Sequence, residues 1–139
     1  MKISLKRINK AVHLEATNED GNKVQIDGSP SIGGENLGVR PMQLLLMGLG
    51  GCSSMDILNI LGKQKVELDD FKIDVDAERD TENTPSLFTN IHVRFIFKGT
   101  DLNMKKIERA VNLSMDKYCS VTKILEKSSK ITHEIVLEA

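Results

Sequence analysis

Cys52 and Cys119 are the only cysteines in the chain, and they are the residues whose type best supports chemistry. A thiol is either a small buried hydrophobe or, once ionised, a nucleophile and a partner in disulfide exchange. Two local features favour the second role. Cys52 lies in a run of small residues, Gly50-Gly51-Cys52-Ser53-Ser54, where a cleft or a close subunit contact can form beside the sulfur. Cys119 stands directly before a predicted helix start at Ser120, where backbone N–H groups and the helix dipole stabilise a thiolate. Asp56 opposes them. Four residues after Cys52, it shares the same helix face, and a carboxylate disfavours a neighbouring thiolate. A reactive Cys52 therefore requires a cation close by.

Other chemistries find little support. The three histidines, His13, His92 and His133, are far apart, and neither Cys-x-x-Cys nor His-x-x-x-His occurs, so no metal is expected. Gly33-Gly34 and Gly48-Leu49-Gly50-Gly51 lack the strand-to-helix setting of a phosphate loop, so no nucleotide cofactor is expected either. Gly51-Cys52-Ser53-Ser54 falls inside a helix rather than on the sharp turn of a serine hydrolase. Nineteen basic against twenty acidic residues, with 4% aromatics, exclude the charge footprint and stacking surface of a nucleic-acid binder. Met1 to Arg7 has no apolar stretch of signal-peptide length, which predicts a cytoplasmic protein. In that compartment two cysteines read as free thiols or a transient redox pair, not a structural bridge.

The elements that must position the thiols follow from periodicity. Ile3/Leu5, Val12/Leu14/Ala16 and Val24/Ile26 alternate, predicting a β-meander turned at Asn9-Lys10 and Asn18 to Asn22. Residues 27–40, rich in Gly, form an irregular loop. Pro41 opens a helix running to about Leu61, with Gly62 as its stop. This helix is apolar nearly all round, hence buried. Gln43, Ser53, Ser54, Asp56 and Asn59 keep it below the ~18 apolar residues of a membrane span. Its glycines suggest the close approach of another backbone. Two alternating strands follow, at Phe71 to Ala77 and Ile91 to Phe97. Next come a helix through Met104, Ile107, Val111, Met115 and Tyr118, capped by Asp101 or Asn103, a short helix from Ser120, and a last strand at Ile131 to Leu137. The order βββαββααβ is α+β: a largely antiparallel sheet packed on a long buried central helix, in one domain over residues 1–139. So few strands cannot cover so apolar a helix, which points to a partner subunit.

Arg40-Pro41-Met42-Gln43-Leu44, Gly50-Gly51-Cys52-Ser53 and Lys117-Tyr118-Cys119-Ser120-Val121 together resemble the OsmC-like family, that of osmotically induced protein C and the organic hydroperoxide resistance proteins. The wording around Cys52 is closest to a less-characterised bacterial branch. The resemblance covers essentially the whole chain and implies an intertwined homodimer with active sites at the subunit interface. It further implies reduction of alkyl or fatty-acid hydroperoxides, with Cys52 attacking, Cys119 resolving and an external dithiol resetting the pair. The family's peroxidases carry a glutamate directly after the proline, holding an arginine against the thiol; here that position is Met42, and Gln43 carries no charge. Their arginine comes from the N-terminal hairpin, where Arg7 lies in no matching motif. Arg40 is the remaining candidate, with an ordinary loop arginine as its other reading. The alternative function is a non-enzymatic dimer of the same fold that binds a small apolar ligand.

Overall fold

Side chains of asparagine and aspartate, more than apolar packing, shape the N-terminal part. The computed structural model of the protein describes residues 1–139, which fall into two compact units, Met1–Met47 and Gly48–Ala139. In the first, β1 (Ile3–Arg7), β2 (Leu14–Asn18) and β3 (Lys23–Ile26) pair antiparallel in that order. Asn9 Oδ1 accepts the N–H groups of Ala11 and His13, and Asn18 Oδ1 those of Asp20 and Asn22. Each side chain thus imitates a turn of backbone, as Asx turns do.

The Gly-rich loop is irregular in path but closely tied. Buried Asp27 accepts the N–H groups of Gly28, Glu35 and Leu37 at 2.8, 3.1 and 3.1 Å, closing the loop around one carboxylate. These bonds hold its pKa below the ordinary aspartate value, the Leu37 N–H contributing most. Two glycines are needed for space. A Cβ at Gly34 would lie 1.8 Å from the Gly28 carbonyl oxygen, and one at Gly38 would lie 2.4 Å from the Gln25 carbonyl carbon.

Helix α1 (Pro41–Lys63) begins with Pro41 and a capping interaction, Gln43 Oε1 accepting the Arg40 N–H at 3.0 Å. It ends later than Gly62 predicts. Lys65, at φ 57°, takes the left-handed position, while the N–H groups of Val66 and Lys65 reach back to the Leu61 and Gly62 carbonyls. This is a Schellman stop without its usual glycine.

In the second unit, β4 (Asp70–Arg79) pairs antiparallel with β5 (Phe88–Lys98), and β6 (Lys130–Glu138) pairs parallel with β5. The α+β class and element order are those expected, and the strands form two three-stranded sheets with a single parallel pair. Parallel neighbours require a crossover. Here it is α2 (Met104–Leu113), a π turn (Ser114–Tyr118) and α3 (Ser120–Leu125). Asn103 rather than Asp101 caps α2, its side chain accepting the Lys106 N–H. The register aligns Phe71, Ile73, Val75 and Ala77 with Phe97, Phe95, Val93 and Ile91, and these with Leu137, Ile135, His133 and Ile131. Phe95, Phe97, Ile91, Val93, Ile107 and Val111 are fully buried, each contributing about 1.5–3 kcal/mol by transfer from water.

Burial of α1 is one-sided in the single chain. Leu49, Ser53, Ile57 and Leu61, four residues apart, face inward, whereas Met55 and Leu58 are 71% and 42% exposed. A Cβ at Gly50 would make ordinary contact with Ile73 and Val75, and one at Gly48 or Gly51 would meet nothing, so no backbone in this chain requires those glycines. The serines that interrupt the apolar run hide their polarity, Ser53 donating to the Leu49 carbonyl and Ser54 to that of Gly50. By length and mean hydropathy alone α1 is apolar enough to cross a membrane, although polar residues interrupt its apolar run. Its inward row is spent instead on the core of the second unit.

Candidate active site

Within the second unit, α1 and the crossover bring three reactive side chains together. Cys52 and Asp56 lie one turn apart on α1, both half-buried, and Cys119 is fully buried at the junction of the π turn and α3. The two sulfurs and a carboxylate oxygen of Asp56 all lie within 4.8 Å of one another. Both thiols are free.

The π turn takes Tyr118 off the apolar row and leaves Cys119 inside. With regular α-helical spacing, Tyr118 would continue the apolar row through Val111 and Met115. Instead the Cys119 N–H donates to the Ser114 carbonyl, five residues back, at 2.8 Å. The wider turn leaves Tyr118 half exposed, while Cys119 stays buried in the core. Cys119 then caps α3, its Sγ accepting the Thr122 N–H at 3.4 Å. The cap does not make it an easily formed thiolate. Burial pushes its pKa up, proximity to Cys52 adds to the rise, and the Thr122 contacts offset this only in part. The activation expected from its place at a helix start is thus overturned by desolvation.

Ser114 ties the pieces together. Its Oγ lies 3.1 Å from Asp56 Oδ2 and 3.4 Å from the Ser53 carbonyl oxygen, so the π turn is anchored to α1 beside the thiols. The sequence holds a faint signal for this contact, a serine beside Met115 where the apolar row approaches Cys119.

A model of the OsmC-like protein family matches residues 33–134, which include both cysteines and the segments that carry them. The chain belongs to the OsmC-like family. Protein YhfA of Escherichia coli K12 is 40% identical over 113 residues, 81% of each chain. A solved hypothetical protein from Aquifex aeolicus superposes with a TM-score of 0.80 at 31% identity, covering 99% of this chain and 97% of its own. The organic hydroperoxide resistance protein OhrB of Bacillus subtilis shares the fold, with a TM-score of 0.62 at 21% identity and 96% of each chain covered.

In this OsmC-like chain the structure brings Cys52 and Cys119 together, with Asp56 as a third member. Arg40 belongs to the first unit, where its Nη1 lies 3.5 Å from the Gly38 carbonyl oxygen and its N–H is capped by Gln43. His92 is on the exposed side of the sheet beside Thr132 and Glu134, and half-buried His133 has its pKa lowered by burial. Spacing along the chain set metal chemistry aside, yet the cluster in space combines two sulfurs and a carboxylate.

Proposed function

We propose that this protein reduces organic hydroperoxides by a two-cysteine mechanism. The observation that carries the reading is the approach of Cys52 and Cys119, remote in sequence, to within bonding reach of a small side-chain movement. The resemblance to the OsmC-like family implies a dimer acting on hydroperoxides, and the B. subtilis neighbour is an organic hydroperoxide resistance protein by name. Cys52, the more accessible thiol, attacks the terminal oxygen of R–O–OH as its thiolate. The O–O bond breaks, the alcohol leaves with a proton, and Cys52 becomes a sulfenic acid. The Cys119 thiol then attacks the Cys52 sulfur, an S–S bond forms, and the sulfenic hydroxyl departs as water with the Cys119 proton. An external dithiol supplies two electrons and two protons to restore both thiols. The raised Cys119 pKa disfavours that residue as the initial attacking thiolate, and it must give up its proton in the resolving step.

The same reading extends to assembly and location. A second copy covers the exposed apolar side of α1, at Met55 and Leu58, so the working unit is a homodimer. The chain acts as one OsmC-like domain, as a family match running across both compact units supports, and it acts in the cytoplasm. Arg40, at the start of the helix that carries Cys52, stays the proposed catalytic cation by its place in the sequence. Two observations favour a second reading, a non-enzymatic dimer that holds a small apolar molecule: Met42 stands where the resemblance implies a glutamate, and Arg40 Nη1 lies 3.5 Å from the Gly38 carbonyl oxygen.

Cumene hydroperoxide distinguishes the two. Reduced protein mixed with one equivalent should lose both thiols and gain an internal disulfide by intact mass. Unchanged thiol titre and mass would exclude the enzyme and leave the binding protein.

A further inference from the structure

The Cys52, Asp56 and Cys119 cluster has the composition of a metal site as well as that of a redox pair. We infer that the reduced protein binds one zinc-like divalent cation between Cys52 Sγ, Cys119 Sγ and the Asp56 carboxylate. This goes beyond the proposed activity and needs only that both thiols be reduced.

The geometry is close to what the ion requires. Zinc takes sulfur at about 2.3 Å and carboxylate oxygen at about 2.0–2.2 Å in a tetrahedron. Ligand atoms around it therefore lie roughly 3.5–3.8 Å apart. Here all three atoms already lie within 4.8 Å of one another, so closing on an ion requires about an ångström of side-chain movement. Two ligands come from successive turns of one helix face, the spacing by which helices present ligand pairs in other zinc proteins. The third arrives from the crossover.

Supporting contacts are also in place. Ser114 Oγ, wholly buried, holds Asp56 Oδ2 at 3.1 Å, which steadies the carboxylate beside the two sulfurs. The Thr122 N–H points at Cys119 Sγ, as donors to metal thiolates do. Two thiolates and a carboxylate carry three negative charges, of which the divalent cation offsets two. Coordination expels the two thiol protons to solvent. A fourth position remains for water or a small ligand. While the ion is bound, neither sulfur can enter a disulfide, so cation availability sets the fraction of chains able to react.

Cobalt(II) tests this without hydroperoxide, so its outcome is independent of whether the pair reduces peroxides. Anaerobic, fully reduced protein titrated with Co²⁺ should develop near-ultraviolet thiolate-to-cobalt charge-transfer bands and tetrahedral visible bands. Both should saturate at one ion per chain and vanish on adding Zn²⁺. Asp56→Asn should weaken cobalt affinity by at least about tenfold. Cys52→Ser should remove most of the charge-transfer intensity, and Zn²⁺ should protect both wild-type thiols from alkylation. Absent charge-transfer bands in the folded wild-type protein would overturn the site, whatever the variants do. So would equal affinity in Asp56→Asn, or undiminished bands in Cys52→Ser.

Discussion

Two aspartates divide this molecule's polar interior between shape and chemistry. Asp27, in the first unit, is almost fully engaged: three backbone N–H groups from one loop converge on its carboxylate. Asp56, in the second, has one protein donor, Ser114, and two thiols for neighbours. A buried carboxylate with three of its roughly four acceptor sites taken by amides has little capacity left for a ligand and serves to fix a loop. One held from a single side keeps an oxygen available. Fuller hydrogen bonding and deeper burial together separate the structural group from the reactive one.

The largest expected effect falls on the reactive side. Cys52→Ser should abolish hydroperoxide consumption, a loss of at least about a thousandfold in single-turnover rate for a required nucleophile, while circular dichroism stays unchanged. A Cys52→Ser protein that still consumed peroxide would break the assignment of chemistry to this cluster. Next comes the loop. Asp27→Ala leaves three amide donors without their acceptor, and Tm should fall by about 5–10 °C, with far less change for Asp56→Asn. Equal losses at the two positions would remove the distinction between them.

The pH dependence sharpens the same contrast. Asp27 has a folded-state pKa below its unfolded value, so its contribution is fully present above the unfolded value of about 3.9 and is lost as pH falls through the lower folded value. Thermal melts taken downward from about pH 5 should show this acid loss, and Asp27→Asn should flatten it. At the thiols, alkylation should reach Cys119 later than an ordinary cysteine as pH rises, because burial raises its pKa. Peptide mapping after a timed pulse of iodoacetamide measures this directly. The smallest effect lies outside both regions. Lys65→Gly should stabilise by about 1 kcal/mol, since the helix stop places a side chain at positive φ.

How much could be read beforehand differed between these regions. The meander, α1 and both strands of the β4–β5 hairpin follow from alternation and helical spacing, and Asn9 and Asn18 are turn residues by type. The Gly-rich loop read as irregular because nothing along the chain announces that Asp27 gathers N–H groups from as far as Leu37. Cys52 and Cys119 stood out as candidates by rarity and motif, and Asp56 by its helix face. Ser114 did not, since its contact with Asp56 joins a helix to a crossover distant in sequence. Tyr118 was placed on the apolar row because a π turn leaves no trace in a pattern read at a fixed helical period.

The sequence by itself determined the α+β class, the order of elements and the two thiols, because alternation, capping and residue chemistry act within a few residues. Only the tertiary structure decided that β6 lies parallel to β5, that Cys119 turns inward with its pKa raised, and that Asp56 meets both sulfurs. Those outcomes depend on where a helical crossover returns the chain and on how much water it excludes. Neither is a local property of the residues concerned.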